Sequence, residues 1–251
     1  MHENLLVLGG TSEATALCQA LSAAGIRATV SLAGRVARPV RQPLPQRVGG
    51  FGGVAGLVRY LQNHAITHVV DATHPFAAQM SANAVAACAA ARVPLIALTR
   101  APWQAGPGDR WTHVPDIAGA VAALDRAPAR VMLAVGRMQL AEFAPNPQHF
   151  YLLRLIDAPD APLPFATCDI VQDRGPFSVA GDLALMRDYR INLVVSKNSG
   201  GTGAAAKITA ARDLGLPVIM IDRPAIPARP EAHSVPEVLA WLVHSGTDRG
   251  V

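Results

Sequence analysis

The chain of 251 residues is long enough for one large domain or two modest ones. Its hydrophobic content of 51% and charged content of 16% predict a folded protein with a sizeable core and exclude a disordered chain. The formal net charge is +4, but aromatic residues make up only 5% and no basic run is interleaved with them. This composition argues against a nucleic-acid-binding surface and favours an anionic small ligand.

The sequence predicts neither a membrane protein nor a metal site. No apolar run approaches the ~18 residues that a membrane-spanning helix needs. Glu3 stands where a secretory signal peptide carries positive charge, so we expect a cytoplasmic protein. His64 and His68 span the junction of a predicted helix and strand, so they should not share one face and bind a metal.

The first hundred residues alternate between short apolar runs and helical periodicity. A strand over 5–8 leads through a glycine turn into a helix over 14–24. Further strands are predicted at 27–32, 47–48, 68–70 and 93–98, and further helices at 54–63 and 77–91. Short apolar runs of this kind are typical of a parallel sheet that is covered on both faces.

The second half repeats this alternation after a segment rich in Pro, Gly and Trp at 101–108. Strands are predicted at 130–135, 151–156, 191–195 and 217–221, and helices at 178–189 and 204–214. We therefore predict an α/β protein with two Rossmann-like parallel-sheet domains and an active-site cleft between them. Residues 1–100 should form the first domain, 101–128 a linker or crossover segment, and 129–251 the second domain.

The turn Gly9-Gly10-Thr11-Ser12-Glu13 is a candidate phosphate site. A glycine turn between strand and helix directs backbone N–H groups and the positive end of the helix dipole to one point, which suits a phosphate. The turn departs from G-x-G-x-x-G, because Thr11 and Ala14 occupy the second and third glycine positions. A plain turn capped by Ser or Thr is the alternative.

Arg35 is the residue expected to select the cofactor. In an NAD site an acid near the end of the second strand binds the ribose hydroxyls, but residues 31–35 contain no acid. An arginine there can pair with a 2′-phosphate, which favours NADPH. The missing acid also argues against S-adenosylmethionine, because the ribose hydroxyls of that ligand need a partner too. An exposed loop arginine is the alternative.

Polar or glycine-rich segments follow most of the other predicted strands. Segment 173–177 precedes a helix instead, and the segments that follow strands are 49–53, 71–76, 136–137 and 196–203. The last joins a strand to a helix and presents a cation, an amide, hydroxyls and glycines, a pattern typical of an anion-binding turn, although G-x-x-x-x-G-K-[ST] is absent. Flexible loops or long capped turns would also explain these segments.

Taken together, these motifs resemble the precorrin-6A reductases of cobalamin biosynthesis. The resemblance rests on segments 9–14, 49–53, 71–77, 174–177 and 196–201, of which Thr-His-Pro-Phe and Lys-Asn-Ser-Gly-Gly are the more specific. It implies an NADPH-dependent oxidoreductase that reduces one double bond of the precorrin-6A macrocycle to give precorrin-6B. A close relative in the anaerobic route reduces the cobalt-containing analogue, and we favour the cobalt-free substrate.

The resemblance also suggests roles for individual residues. On the cofactor side, Gly9, Gly10, Thr11, Ser12 and Glu13 would hold the pyrophosphate and ribose, Arg35 the 2′-phosphate, Gly52 and Gly53 the adenosine, and Thr73, His74 and Pro75 the nicotinamide. On the substrate side, Lys197, Asn198, Ser199 and Gly200 would hold macrocycle carboxylates or the cofactor, and Arg137 is a further candidate for substrate binding. Lys197 is also the candidate proton donor, with solvent as a rival.

Two other classes of function remain open at this point. A non-catalytic NADPH sensor would use the first domain alone, and a tetrapyrrole methyltransferase would bind S-adenosylmethionine instead of NADPH. The many carboxylates of the macrocycle suit a basic protein, which favours the reductase. Transient contact with neighbouring enzymes of the pathway is a further expectation.

Overall fold

The computed structural model describes residues 3–34, 41–157, 159, 161–173 and 175–247. Within these ranges, twelve strands form two six-stranded sheets in which every pairing is parallel. The chain divides into two compact units, one of Met1–Ala101 with Ala225–Val251 and the other of Pro102–Pro224. The predicted α/β class with two parallel sheets is confirmed.

The elements follow one another in strand–helix alternation. The chain begins with β1 (Asn4–Leu8), α1 (Ser12–Ala23), β2 (Arg27–Leu32), β3 (Gln46–Val48), α2 (Gly53–Asn63), β4 (His68–Asp71), α3 (Ala78–Ala91) and β5 (Leu95–Leu98). It continues with β6 (Arg110–Val114), α4 (Ile117–Ala123), β7 (Arg130–Ala134), a 3₁₀ helix (Arg137–Phe143), β8 (Phe150–Leu155), β9 (Cys168–Gln172), α5 (Val179–Asp188), β10 (Leu193–Lys197), α6 (Ala206–Asp213) and β11 (Pro217–Ile221). It ends with β12 (Glu231–Ala232) and α7 (Val235–Thr247).

The sheet of the first unit has the strand order β12-β5-β4-β1-β2-β3. This is the order 3-2-1-4-5-6 of the doubly wound fold, with β12 in the sixth place. β1 is buried on both faces because its alternate residues enter different cores: Leu5 packs with α1 and α7, whereas Leu6 packs with α2 and α3. The strand order reverses between β1 and β4, which is where such sheets bind ligands.

The sheet of the second unit repeats this order with different connectivity. It runs β6-β11-β10-β7-β8-β9, so that β7 takes the first place and β6 the sixth. The first unit fills its sixth place with a strand from the C-terminal end of the chain, and the second unit fills it with its own first strand. The order of the second sheet reverses between β7 and β10, which defines a second switch point.

The units differ from the predicted partition in the assignment of the segment 101–128 and of the C-terminal segment from residue 225. Residues 101–128 are not a linker, because they supply β6 and α4 to the second unit, and residues 225–247 return to the first unit. β6 is an edge strand of mostly polar sequence and β12 is only two residues long. Neither resembles the apolar runs of a buried parallel strand, so the hydrophobic pattern of the sequence predicts neither of them.

The described ranges contain no helix that is both long and apolar enough to cross a membrane. In the same ranges, no group of three or more His, Cys, Asp or Glu side chains could hold a metal ion. Burial raises the pKa of the Cys18 thiol to about 11 and that of Cys88 to about 12, so both thiols are protonated at neutral pH.

Candidate active site

The carboxyl edge of the first sheet gathers the loops that follow β1, β4 and β5. These loops form a shallow depression beside the switch point, lined by Thr11, Glu13, Thr73, Pro75, Leu98, Thr99 and Arg100. Four of the predicted cofactor residues are therefore neighbours in the structure. Gly52 and Gly53 lie at the β3 end of the same edge, two strands from β1.

The two glycines after β1 are required for different reasons. A Cβ at Gly9 would stand 2.9 Å from Val30 Cγ2, so this position needs glycine for packing against β2. Gly10 has φ +122°, a value that side-chain-bearing residues rarely adopt, and a Cβ there would have no atom within 4 Å. The backbone of Gly10 is therefore open to the close approach of a ligand.

Thr11 joins the glycine turn to the neighbouring loop. Its side chain caps α1 by accepting the Ala14 N–H at 3.1 Å, and its hydroxyl donates to the Ala72 carbonyl at 2.9 Å. The local contacts of Thr11 are thus those of a helix cap, which fits the alternative interpretation of a plain turn capped by Ser or Thr. The second bond holds the ends of β1 and β4 together across the switch point.

Glu13 in the first turn of α1 is paired with Arg100, which follows β5. Arg100 Nη1 lies 3.0 and 3.1 Å from the two carboxylate oxygens, and the Ser12 hydroxyl donates to Oε2 at 3.0 Å. Partial burial acts to raise the pKa of the Glu13 carboxyl, but its backbone hydrogen bond and the charge of Arg100 outweigh burial and hold the pKa below 4.5.

The depressed pKa of Glu13 predicts a pH-dependent contribution to stability. The contribution is fully present above the unfolded-state pKa near 4.5 and is lost as the pH falls through the lower folded-state value. We expect Glu13→Gln to lower the free energy of unfolding at pH 7 and to match wild type at pH values below that range. Chemical denaturation at the two pH values measures this, and a difference that persists in acid would contradict it.

The loop after β4 is built around the carboxylate of Asp71. Its Oδ1 accepts from the Thr73 hydroxyl at 2.7 Å and from the Thr73 N–H at 3.1 Å, while Oδ2 accepts from Arg229 Nη1 at 2.7 Å. His74 Nδ1 accepts the Phe76 N–H at 3.2 Å, and Pro75 is buried. Thr73 is thereby held at the depression, while His74 braces its own loop.

The glycine-rich loop is held by Arg47, which the sequence did not single out. The guanidinium lies 3.9 Å from the Phe51 ring centroid and donates to the carbonyls of Gly49 at 2.9 Å and Gly50 at 3.0 Å. Gly52 and Gly53 have φ +81° and +75°, and a Cβ at either would meet no atom within 4 Å. Arg35 lies outside the described residues.

Lys197 stands at the switch point of the second sheet. It is the last residue of β10 and is 9% exposed, and its ammonium donates to Gln139 Oε1 on the 3₁₀ helix that follows β7. Arg137 begins that helix and is exposed. The strand was predicted to end at residue 195, so the structure moves Lys197 from the loop to the strand terminus.

The residues after Lys197 are held by other parts of the second unit. The Asn198 amide accepts the Trp103 N–H at 2.7 Å and donates to the Trp103 carbonyl at 3.0 Å. Arg223 donates to the carbonyls of Asn198 and Ser199 at 3.0 and 3.1 Å. Ser199 and Gly200 are buried, and Gly200 has φ +67°. The local contacts of the Asn198 side chain are therefore with backbone.

Four residues that the sequence did not assign to the site support it: Arg47, Arg100, Gln139 and Arg229. Arg100 lies two residues after a predicted strand, so its place at the carboxyl edge could have been found from that position. The pairing of Arg229 with Asp71 spans 158 residues of sequence and has no local signal.

Two doubly wound sheets, each with polar loops at its switch point, define an α/β protein of the class that binds ligands at the carboxyl ends of its strands. The family described as Precorrin-6x reductase CbiJ/CobK matches residues 4–243. This chain belongs to that family.

Known relatives agree with this assignment over nearly their full lengths. The chain is 60% identical to a precorrin-6A reductase from Rhodobacter capsulatus, over 98% of this chain and 99% of the relative. It is 30% identical to a cobalt-precorrin-6A reductase from Priestia megaterium, over 96% of this chain and 98% of the relative. A solved structure of CobK precorrin-6A reductase is 59% identical and superposes with a TM-score of 0.94, covering 97% of both chains.

Proposed function

We propose that this protein is a precorrin-6A reductase, an oxidoreductase of cobalamin biosynthesis that uses NADPH to reduce one double bond of the macrocycle. The observation that carries this proposal is the 60% identity to a precorrin-6A reductase over nearly the whole of both chains. The first unit supports it with a glycine turn at the switch point of a doubly wound sheet, which suits a dinucleotide.

The dinucleotide would lie along the carboxyl edge of the first sheet. The open backbone at Gly10 and the N-terminus of α1 suit the pyrophosphate, and Gly52 and Gly53 leave space for the adenosine. Arg100 balances the charge of Glu13, so this carboxylate does not oppose the pyrophosphate as an isolated charge. The nicotinamide would lie on the β4 side, beside Thr73 and Pro75. Bound NADPH supplies a hydride.

The second unit would hold the substrate by its carboxylates. Lys197 is a buried cation at the switch point of the second sheet and donates to Gln139. Arg137 is an exposed cation that lies close in sequence to Gln139. Charge-assisted hydrogen bonds from such groups are the strongest that a protein offers a carboxylate. Asn198 would shape this site through Trp103, with Ser199 and Gly200 bordering the substrate.

The cobalt-free macrocycle is the favoured substrate. Identity to the precorrin-6A reductase from Rhodobacter capsulatus is 60%, against 30% for the cobalt-precorrin-6A reductase from Priestia megaterium. The cobalt-containing analogue is the second candidate. The two candidate substrates would undergo the same hydride transfer, and they differ in the cobalt at the centre of the macrocycle.

Anaerobic incubation with NADPH and precorrin-6A tests the proposal. We expect oxidation of NADPH together with an absorbance change that reports a shortened conjugated system in the macrocycle. A parallel reaction with cobalt-precorrin-6A ranks the two substrates by kcat/KM. Binding of NADPH without turnover of either macrocycle would favour a sensor, and binding of S-adenosylmethionine in place of NADPH would favour a methyltransferase.

Arg35→Ala tests the choice of NADPH over NADH. If Arg35 pairs with the 2′-phosphate, its loss should raise KM for NADPH by about 10-fold or more, as expected for a charged hydrogen bond, and leave KM for NADH nearly unchanged. Steady-state kinetics with each cofactor give the ratio. Equal changes for the two cofactors would remove Arg35 from the phosphate site.

A further inference from the structure

The carboxylate of Asp71 occupies the switch point of the first sheet and is almost completely enclosed. Its side chain is 1% exposed, and that of its ion-pair partner Arg229 is 8% exposed. A carboxylate with so little contact with water requires a paired cation and hydrogen-bond donors. Arg229 supplies the cation at 2.7 Å, and Thr73 supplies both donors on the other oxygen.

The position of Arg229 is set by the segment that returns from the second unit. The next residue, Pro230, accepts the N–H of Ala97 on β5 at 2.9 Å, and Ala232 accepts the N–H of Thr99 at 2.9 Å. His233 Nδ1 lies 3.0 Å from the Thr99 carbonyl. The returning segment therefore braces β5 and the Thr99 side of the depression, while Arg229 reaches the Thr73 side.

One donor of the Arg229 guanidinium lacks a hydrogen bond within the part of the chain that the structure describes. Its Nε is buried and has no hydrogen-bond acceptor among the described residues, and its contact with Glu231 Oε1 is a long ion pair of 3.8 Å. A guanidinium placed only to stabilise the fold would normally satisfy all its buried donors. The Arg229 guanidinium is instead placed so that its Nη1 donates to Asp71 Oδ2. The other oxygen of the same carboxylate, Oδ1, accepts the two hydrogen bonds from Thr73.

We propose that Arg229 is a positioning residue for cofactor binding, acting through Asp71 to fix the backbone and hydroxyl of Thr73 toward the nicotinamide half of NADPH. This inference rests on the proposed function, because it assumes that the dinucleotide occupies the first unit's carboxyl edge. The chain of contacts is direct: Arg229 Nη1 to Asp71 Oδ2, then Asp71 Oδ1 to Thr73 Oγ1 and N.

A double-variant cycle on the full-length protein tests the inference. Thr73→Val and Arg229→Met should each raise the NADPH dissociation constant by about 3- to 10-fold, the effect of one neutral hydrogen bond. The double variant should bind no more weakly than Thr73→Val alone, because both changes remove the same contact. Arg229→Lys keeps a cation within reach of Asp71 and should recover most of the affinity.

Arg154→Met is the matched control. Arg154 forms an equally enclosed ion pair with Asp182 in the second unit, where the side chains are 10% and 2% exposed. This variant should lower the thermal unfolding midpoint as Arg229→Met does, yet leave the NADPH dissociation constant at the wild-type value. If Arg229→Met does not fold, Arg229→Gln, which also removes the charge, takes its place in the cycle with the same expectation of non-additivity.

The outcomes separate this inference from the proposed function. Multiplicative effects of the two changes, or wild-type affinity in Arg229→Met, would overturn the positioning role while leaving the reductase intact. Wild-type protein that binds no NADPH would overturn the proposed function, and the inference with it.

Discussion

Lys197→Met should lower kcat/KM for precorrin-6A by about 10- to 150-fold and leave the NADPH dissociation constant unchanged. The ammonium is buried at the second switch point, and a hydrogen bond to a charged group contributes about 1.5–3 kcal/mol. Methionine keeps the length and packing of the side chain while it removes the charge. Anaerobic steady-state kinetics and a separate NADPH titration measure the two quantities.

Lys207→Met provides the control, because Lys207 is the only other lysine of the chain and is also buried. Its ammonium donates to the Ala204 carbonyl at 2.7 Å and lies 4.9 Å from the Trp103 ring centroid. We expect this variant to lose stability and to lower kcat/KM far less than Lys197→Met does, because Lys207 reaches the proposed site only through Trp103. A rise in KM for Lys197→Met assigns that residue to carboxylate binding and a fall in kcat alone to proton donation, whereas unchanged kinetics make it a bystander.

Gly56→Ala should weaken NADPH binding indirectly, because Gly56 is a buried residue of α2 that packs under the glycine-rich loop. A Cβ at Gly56 would stand 1.6 Å from the Phe51 carbonyl oxygen, so the glycine-rich loop must move away from α2. The Phe51 ring also stacks with the Arg47 guanidinium, 3.9 Å from its centroid, and packs edge-on against Tyr60. A shift of Phe51 should therefore reach Gly52 and Gly53. We expect a loss of about 1–3 kcal/mol in the free energy of unfolding.

Denaturant unfolding and NADPH titration of the same samples test this second prediction. Gly50→Ala is the control for stability, because its Cβ would meet no atom within 4 Å and its backbone does not need positive φ. Its unfolding midpoint should stay at the wild-type value. A Gly56→Ala protein with wild-type stability and wild-type affinity would show that the loop is free to move without consequence.

Local features of the site were predictable from the sequence because their interactions are local. The glycine turn at Gly9 and Gly10 lies between a buried strand and a helix, and Thr11 caps that helix through a residue three positions away. The cluster of polar residues after an apolar run likewise predicts that Lys197 lies close to the end of a strand, where the structure places it. In each case the relevant hydrogen bonds or periodicity lie within a few residues.

Features that depend on the path of the chain were not predictable. The carboxyl partners of Arg100 and Arg229 lie 87 and 158 residues away, and no pattern in either neighbourhood indicates the pairing. The side-chain amide of Asn198 binds the backbone of Trp103, 95 residues earlier, and no local pattern indicates that partner. A polar side chain after a strand shows that a site is near but not which way the side chain will turn.

The sequence by itself determined the two parallel sheets, because near-continuous apolar strands that alternate with helical segments can bury both faces in no simpler way. Only the tertiary structure decided which strand takes the sixth place in each sheet. The two-residue β12 is the sixth strand of the first sheet, and the polar edge strand β6 is the sixth strand of the second. An edge strand is held by backbone hydrogen bonds to one neighbour, which almost any sequence can form. Its place, and with it the meeting of Arg229 and Asp71, is therefore set by chain connectivity and not by residue pattern.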